Sequence, residues 1–314
     1  ANALIQKMTF TTTISKSLFT LPLLLFFVNS IAAQQMPEFL LGTWQINNKT
    51  KYEQWQQVNE SHYRGTVIET AGGIKTIKEN LSLEIKDNLV IYQAQVLDQN
   101  DGKTIIFTGN ITDNGFKVFN SNHDFPQTIE YIKVSEDEIQ AIVSAKDDDG
   151  FNQKLVKKQL PDTIPEWFLE DLVTNVGTWV TDNSAYQSTS EPFDSYAVEW
   201  QWGIGKTSII GRLYGIKEGK ESSDFWQFRQ YWDNVNKHAV VQQFGNYSVI
   251  GIGTVQYIKP GQTSVIQTFT MADGTSWQTK HNNQLQDDVL TTTSYNMDKD
   301  QKWQANRTYQ WYKQ

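Results

Sequence analysis

The 314-residue chain has no cysteine, only 4 histidines and 7 prolines, and no excess of positive charge. Without cysteine there is no disulfide framework, no thiolate nucleophile and no sulfur-ligated metal, so stability must come from packing. His62, His123, His238 and His281 lie far apart, without metal-ligand spacing. Lys and Arg number 27 against 35 acids, for a formal charge of −8. An acidic chain without a basic run has no electrostatic reason to bind nucleic acid or anionic lipid. Long stretches of 3.6-residue periodicity are missing as well, which argues against a helical architecture.

Aromatic residues, by contrast, make up 13% of the chain and include 11 tryptophans. Trp44 and Trp55 stand in the first half, and the other nine run from Trp167 to Trp311. Residues 1–33 read as a secretory signal peptide: Lys16 flanks an apolar core, Leu18 to Val28, ahead of the small-residue site Ser30-Ile31-Ala32 or Ile31-Ala32-Ala33. The core is too short to span a bilayer comfortably, and no cysteine precedes the cleavage site to carry a lipid. The segment holds Lys7 and Lys16 and no acid, so its removal leaves the rest more acidic still. The expected product is secreted or periplasmic and has no transmembrane segment.

The organising repeat is Leu40-Leu41-Gly42-Thr43-Trp44, which returns as Asn175-Val176-Gly177-Thr178-Trp179. Each copy opens a run of period-two segments, separated by turn formers such as Gly72-Gly73, Lys86-Asp87-Asn88 and Asp113-Asn114-Gly115. Leu160-Pro161-Asp162-Thr163-Ile164-Pro165 reads as a linker, because two prolines interrupt any element. Glu166 to Leu172 reads as one or two helical turns placed to plug the second unit. Short strands joined by tight turns favour closed barrels, since closure removes exposed edges. The chain is therefore expected to be all-β, two tandem antiparallel β-barrels over 36–160 and 166–314, the last strand of each closing on the first. In Gly-Thr-Trp, glycine permits a close turn, threonine suits a strand start and tryptophan plugs the narrow end. The motif speaks for fold rather than activity.

Leu40-Leu41-Gly42-Thr43-Trp44, Glu53-Gln54-Trp55 and Asn122-His123-Asp124-Phe125-Pro126-Gln127 together resemble an uncharacterised bacterial family with Leu-x-Gly-x-Trp, Glu-x-Trp and His-Asp-Phe-Pro-Gln motifs. The resemblance covers about residues 38–150 and implies a small, exported, lipocalin-like barrel; it implies no activity. The second half is similar only in outline to other lipocalin-like (calycin) barrels, with Asp273-Gly274 near the place of the His-Asp-Phe-Pro run. More distantly, the Gly-x-Trp start is similar to that of nitrobindin-like haem barrels, which use a late histidine and a glycine-rich first strand. His281 is late, but no such strand follows Trp44 or Trp179. No cofactor is expected.

Candidate chemistry gathers at two places. His123, in a loop bent by Pro126 with Asp124 and Gln127 beside it, could work as a general acid or base at a barrel mouth, with Glu53 as partner. Alternatively it caps the rim by bonding to backbone. Glu53 and Trp55 share a strand face, so Glu53 either faces a ligand or forms a rim ion pair, for which Arg64 is a candidate. In the second unit, Glu199 and Arg212 are candidates for a pair in a cavity lined by Trp200, Trp202 and Tyr214. The same aromatics could instead fill the barrel or stack on sugar rings from a flat surface. Asp147-Asp148-Asp149-Gly150 lacks the pattern of a calcium loop, Gly203-Ile204-Gly205-Lys206-Thr207 lacks phosphate-loop spacing, and no metal site is expected. Three readings follow: a module binding a small apolar or carbohydrate ligand, a hydrolase or isomerase using His123 and Glu53, and an interaction protein with filled barrels.

Overall fold

The computed structural model describes residues 34–314, so the expected signal peptide lies outside the described residues. The first unit comprises β1 Gly42–Ile46, β2 Lys51–Asn59, β3 His62–Ala71, β4 Ile74–Lys86 and β5 Leu89–Val96. It continues with β6 Ile105–Thr112, β7 Gly115–Phe119, β8 Thr128–Lys133, β9 Glu138–Ala145 and β10 Asp148–Lys157. A linker leads to the helix α1, Glu166–Asn175. The second unit comprises β11 Gly177–Asp182, β12 Ser195–Trp202, β13 Ser208–Lys217, β14 Lys220–Asp233 and β15 His238–Gly245. β16 Ile250–Lys259, β17 Gln262–Thr270, β18 Ser276–Gln286, β19 Val289–Met297 and β20 Trp303–Lys313 complete it.

Within each unit every strand pairs antiparallel with its neighbours in the chain. Closure then sets Trp44 opposite Lys157 in the first unit and Trp179 opposite Lys313 in the second. The result is two closed, ten-stranded antiparallel barrels in tandem, the all-β architecture that the turn spacing implies. The residue pairs Asp87-Asn88 and Asp287-Asp288 take positive φ at both positions, as tight hairpin turns with mirror-image twist require. One strand escapes the period-two reading: β18, whose sequence Ser-Trp-Gln-Thr-Lys-His-Asn-Asn-Gln-Leu-Gln is polar on both faces.

Gly-Thr-Trp closes each barrel by the same device. Gly42 and Gly177 sit at φ 123° and 122°. The Trp44 indole donates to the Leu40 carbonyl at 2.8 Å, and that of Trp179 to the Asn175 carbonyl at 2.9 Å. The last strand then lays a lysine over each ring, Lys157 Nζ 5.5 Å from the Trp44 centroid and Lys313 Nζ 5.3 Å from that of Trp179. Each Trp thereby ties the first strand to the segment before it, while its ring face holds the last.

The cores differ. Leu40, Trp44, Trp55, Tyr63, Leu83, Phe107 and Phe116 are buried inside the first barrel. Tyr92 touches four rings there, those of Trp55, Phe107, Phe116 and Tyr131, with centroids 6.0–6.4 Å away. In the second, α1 drives Phe168 and Leu172 into one end of the barrel among Ile209, Val241 and Val255. The linker is fixed too, since the Ile164 amide donates to the Gly73 carbonyl at 2.8 Å. At the opposite end, in the connection between β11 and β12, Glu191 accepts both Arg307 guanidinium nitrogens at 2.6 and 2.8 Å.

A candidate ligand cavity in the second barrel

The first barrel gathers its chemistry around Glu53. The residue is 2% exposed, with Tyr52 and Gln54 on the other face of β2. Its Oε1 accepts from the Trp55 indole at 2.6 Å and its Oε2 from the Tyr131 hydroxyl at 3.0 Å. Burial raises its pKa to about 7 against the opposing pull of those two bonds. Burial first, and the Glu53 charge second, push the Tyr92 and Tyr131 hydroxyls well above their ordinary range. Trp55 rests on Gly65, where a Cβ would meet the indole at 2.9 Å. Arg64 is exposed opposite Gln56, so the rim pair with Glu53 considered from the sequence does not form; Glu53 points inward instead.

His123 lies in the β7–β8 loop. Its backbone amide donates to Asn120 O at 3.3 Å, its Nδ1 lies 2.9 Å from Pro126 O, and its ring meets Phe107 edge-on at 6.0 Å. Among the described residues no hydrogen bond or ion pair joins it to Glu53. Asp124 is exposed, and the Gln127 Oε1 accepts from the Lys146 amide at 2.9 Å. The structure thus keeps His123, Asp124 and Gln127 together at the rim and sets Glu53 with Trp55 in the core.

The second barrel is open inside. A cavity of about 470 Å³ runs between α1 and the barrel wall. It reaches the surface where Glu170 faces the Lys259-Pro260-Gly261 turn. One arc of its wall is apolar and aromatic: Trp311 on β20, Trp179 on β11, Trp200 on β12, Leu213 on β13, then Trp226 and Phe228 on β14. The facing arc is mixed: Gln243 on β15, Thr263 and Gln267 on β17, His281 and Asn283 on β18 and Thr292 on β19 stand among Val241, Val255, Val265, Leu285 and Leu290. Period-two alternation on a closed sheet sets these side chains inward.

The polar arc is partly bonded to itself. Gln267 Nε2 donates to Gln243 Oε1 at 3.2 Å, Asn283 Nδ2 to Thr263 Oγ1 at 3.3 Å, and Thr292 Oγ1 to Asn283 Oδ1 at 3.0 Å. Thr279 pairs across the sheet with Gln267, and its buried hydroxyl has no partner among the described residues. Burial alone lowers the His281 pKa, so the imidazole is neutral at pH 7. On the helix side, Asp171 Oδ2 accepts from Gln230 at 2.7 Å and Asn175 at 3.2 Å. Burial raises the Asp171 pKa to about 6 despite those bonds.

Glu199 and Arg212 do pair, with Arg212 Nε and Nη2 at 3.0 and 2.8 Å from Glu199 Oε2. The pair is not inside the cavity. Glu199 alternates with the cavity residues Val198 and Trp200, and Arg212 precedes the cavity residue Leu213, so both face outward. Arg212 also reaches Asp224 at 3.2 Å and lies 4.3 Å over the Tyr214 ring, in a shallow groove on the outer wall. Trp200 faces the cavity, while Trp202 packs toward α1. Of the polar groups on this arc the sequence singled out only His281, and it did not single out Asp171. The available signal was the isolated inward set Trp277, Thr279, His281, Asn283 and Leu285, period two in position but not in hydropathy.

No protein-family model matches the sequence, and no curated protein does. Among solved structures the chain is similar to transferrin binding protein B from serogroup B Neisseria meningitidis, at 9% identity and a TM-score of 0.20, over 84% of this chain and 66% of that one. A double mutant of transferrin binding protein B from Haemophilus parasuis gives 8% identity and a TM-score of 0.18, over 75% and 66% of the two chains. Intact Ap-TbpB, with N and C lobes, gives 10% and 0.19, over 84% and 67%. The chain thus spans about two thirds of the length of these proteins. At such TM-scores the likeness carries no argument. The strand order itself establishes the chain as a tandem pair of closed antiparallel barrels, one packed and one holding a cavity.

Proposed function

We propose that this protein is an exported binding module whose second barrel holds a small molecule, with the first barrel a packed structural unit. The observation that carries the reading is the cavity beside α1, about 470 Å³ and lined by Trp179, Trp200, Trp226 and Trp311. That volume falls in the range of roughly 300–1,000 Å³ typical of small-molecule sites, and a mostly apolar lining with a few placed polar groups is their usual chemistry. Export is supported by the signal-like segment at 1–33. Among the described residues no helix is long and apolar enough to cross a membrane.

The test is native mass spectrometry of the full chain for a co-purifying small molecule. Val255→Trp, which drives an indole into the cavity, should abolish the bound mass, while Ile129→Val in the first barrel should retain it. A bound mass that survives Val255→Trp would place the ligand elsewhere and overturn the reading.

A further inference from the structure

The cavity has an arc of aromatic rings, and facing it an arc where polar groups stand among aliphatic ones. Trp311, Trp179, Trp200 and Trp226 offer flat apolar rings along one arc. Opposite them stand Gln243, Gln267 and His281, on strands that face the aromatic arc across a closed barrel. Gln267 and Gln243 spend one donor and one acceptor on each other, which leaves the Gln243 amide hydrogens and the Gln267 carbonyl for something else. The neutral His281 imidazole offers one donor and one acceptor.

A wholly apolar occupant would cover these groups without pairing them, at about tenfold in affinity or more for each group left unpaired. An anion is disfavoured by the Asp171 and Glu170 carboxyls on the helix side, against which only Lys259 stands at the mouth. The remaining chemistry is an uncharged molecule with one apolar face and a rim of hydroxyls that both donate and accept. A pyranose ring has that form: its C–H face lies on aromatic rings while its hydroxyls meet amides, hydroxyls and imidazole. We infer that the second barrel binds a neutral carbohydrate, its ring face against the tryptophan arc and its hydroxyls on Gln243, Gln267 and His281. The inference rests on the binding reading above and names the ligand class for that cavity.

The test titrates the full chain with glucose, galactose, N-acetylglucosamine, maltose, cellobiose and lactose, and separately with the apolar fluorophore N-phenyl-1-naphthylamine and with hemin. The readouts are tryptophan fluorescence and calorimetry. Gln267→Leu and Gln243→Leu remove polar cavity groups at nearly constant shape, and Gln278→Ala, on the outer face of β18, is the control. The inference expects at least one saccharide to bind, with affinity falling tenfold or more in Gln267→Leu and Gln243→Leu and unchanged in Gln278→Ala. Thermal melts of the variants establish that they are folded. Binding of the naphthylamine alone, tightened by Gln267→Leu, would overturn the carbohydrate inference and leave the binding module standing. Hemin binding lost in His281→Ala, with no saccharide bound, would do the same. If no probe binds and Val255→Trp changes nothing, both readings fall.

Discussion

Glu53 offers the sharpest quantitative test of the first barrel. Its carboxyl is sealed among Trp55, Tyr92 and Tyr131, and its pKa rises from an ordinary 4.5 to about 7. At 1.36 kcal/mol per pH unit, that difference couples about 3 kcal/mol of folding free energy to pH. The sign follows from proton counting. Below pH 4.5 the folded and unfolded carboxyls are both protonated and the full stability is present. Between 4.5 and 7 the unfolded carboxyl has ionised while the folded one keeps its proton, so stability falls as pH rises; above 7 the loss is complete.

Glu53→Gln removes the ionisation and keeps the geometry, since the amide oxygen can accept from Trp55 and the amide nitrogen can donate to the Tyr131 oxygen. At pH 4.5 the variant should sit within about 1 kcal/mol of the parent. At pH 8 it should be the more stable of the two by an amount approaching 3 kcal/mol. Denaturant-dependent hydrogen exchange, read by mass spectrometry on peptides from β2 and β8, isolates this barrel from Asp171 in the other. An exchange-derived stability that falls with pH as steeply in Glu53→Gln as in the parent would refute the assignment.

The closing device can be tested by comparing its two copies. Gly42→Ala and Gly177→Ala each place a Cβ on backbone at φ near 120° and should cost about 1–3 kcal/mol. The cost should be larger at Gly177, where the new atom meets Lys313 Cε at 2.9 Å, than at Gly42, where Lys157 Cε lies at 3.7 Å. Lys313→Ala should therefore rescue part of the Gly177→Ala melting-temperature loss, and equal losses at the two sites without rescue would contradict the account. Asp171 gives a second pH signature: its raised pKa means that α1 docking is fully supported below about 3.8 and weakens as pH rises through about 6. Asp171→Asn should flatten that profile in exchange on α1 peptides, and an unaltered profile counts against it. Phe168→Ala should cost about 3–5 kcal/mol, because the ring is wholly buried against Trp167 and Trp232. A second barrel that unfolds at unchanged denaturant concentration would show that α1 is not part of its core.

The sequence made the architecture readable because its turns are chemically explicit and most of its strands alternate. Gly-Thr-Trp marked both first strands, and Asp-Asn or Asn-Gly pairs marked the hairpins. It marked the site poorly, for two physical reasons. Barrel facing is set by register, and Glu199 beside Trp200 reads equally well inward or outward until the cross-strand partners are known. The cavity wall is also the place where hydropathy alternation breaks down. β18 puts Thr279, His281 and Asn283 inside and Gln278, Lys280 and Asn282 outside, so polar residues stand on both faces and the strand signal vanishes. Asp171 went unread because, beside Glu166 and Glu170 on a short amphipathic helix, it looks like any solvent-facing carboxylate until Gln230 is seen to hold it.

The two barrels share a strand order but differ in what fills them. In the first, β5 and β6 meet with Tyr92 opposite Phe107, and β7 and β8 with Phe116 opposite Tyr131. These four rings, with Trp55, occupy the middle of the barrel and enclose Glu53. In the second, the corresponding strands β15 and β16 meet with Val241 opposite Gly253, and β17 and β18 with Val265 opposite His281. Val241, Val265 and His281 line the cavity there. A void of that size inside an apolar barrel would forfeit dispersion contacts on every side. The second barrel offsets that in two ways that the first does not need: α1 plugs one end with Phe168 and Leu172, and Arg307 with Glu191 braces the other. Opening a core while reinforcing both its ends fits a barrel whose interior is meant to be occupied by something other than its own side chains.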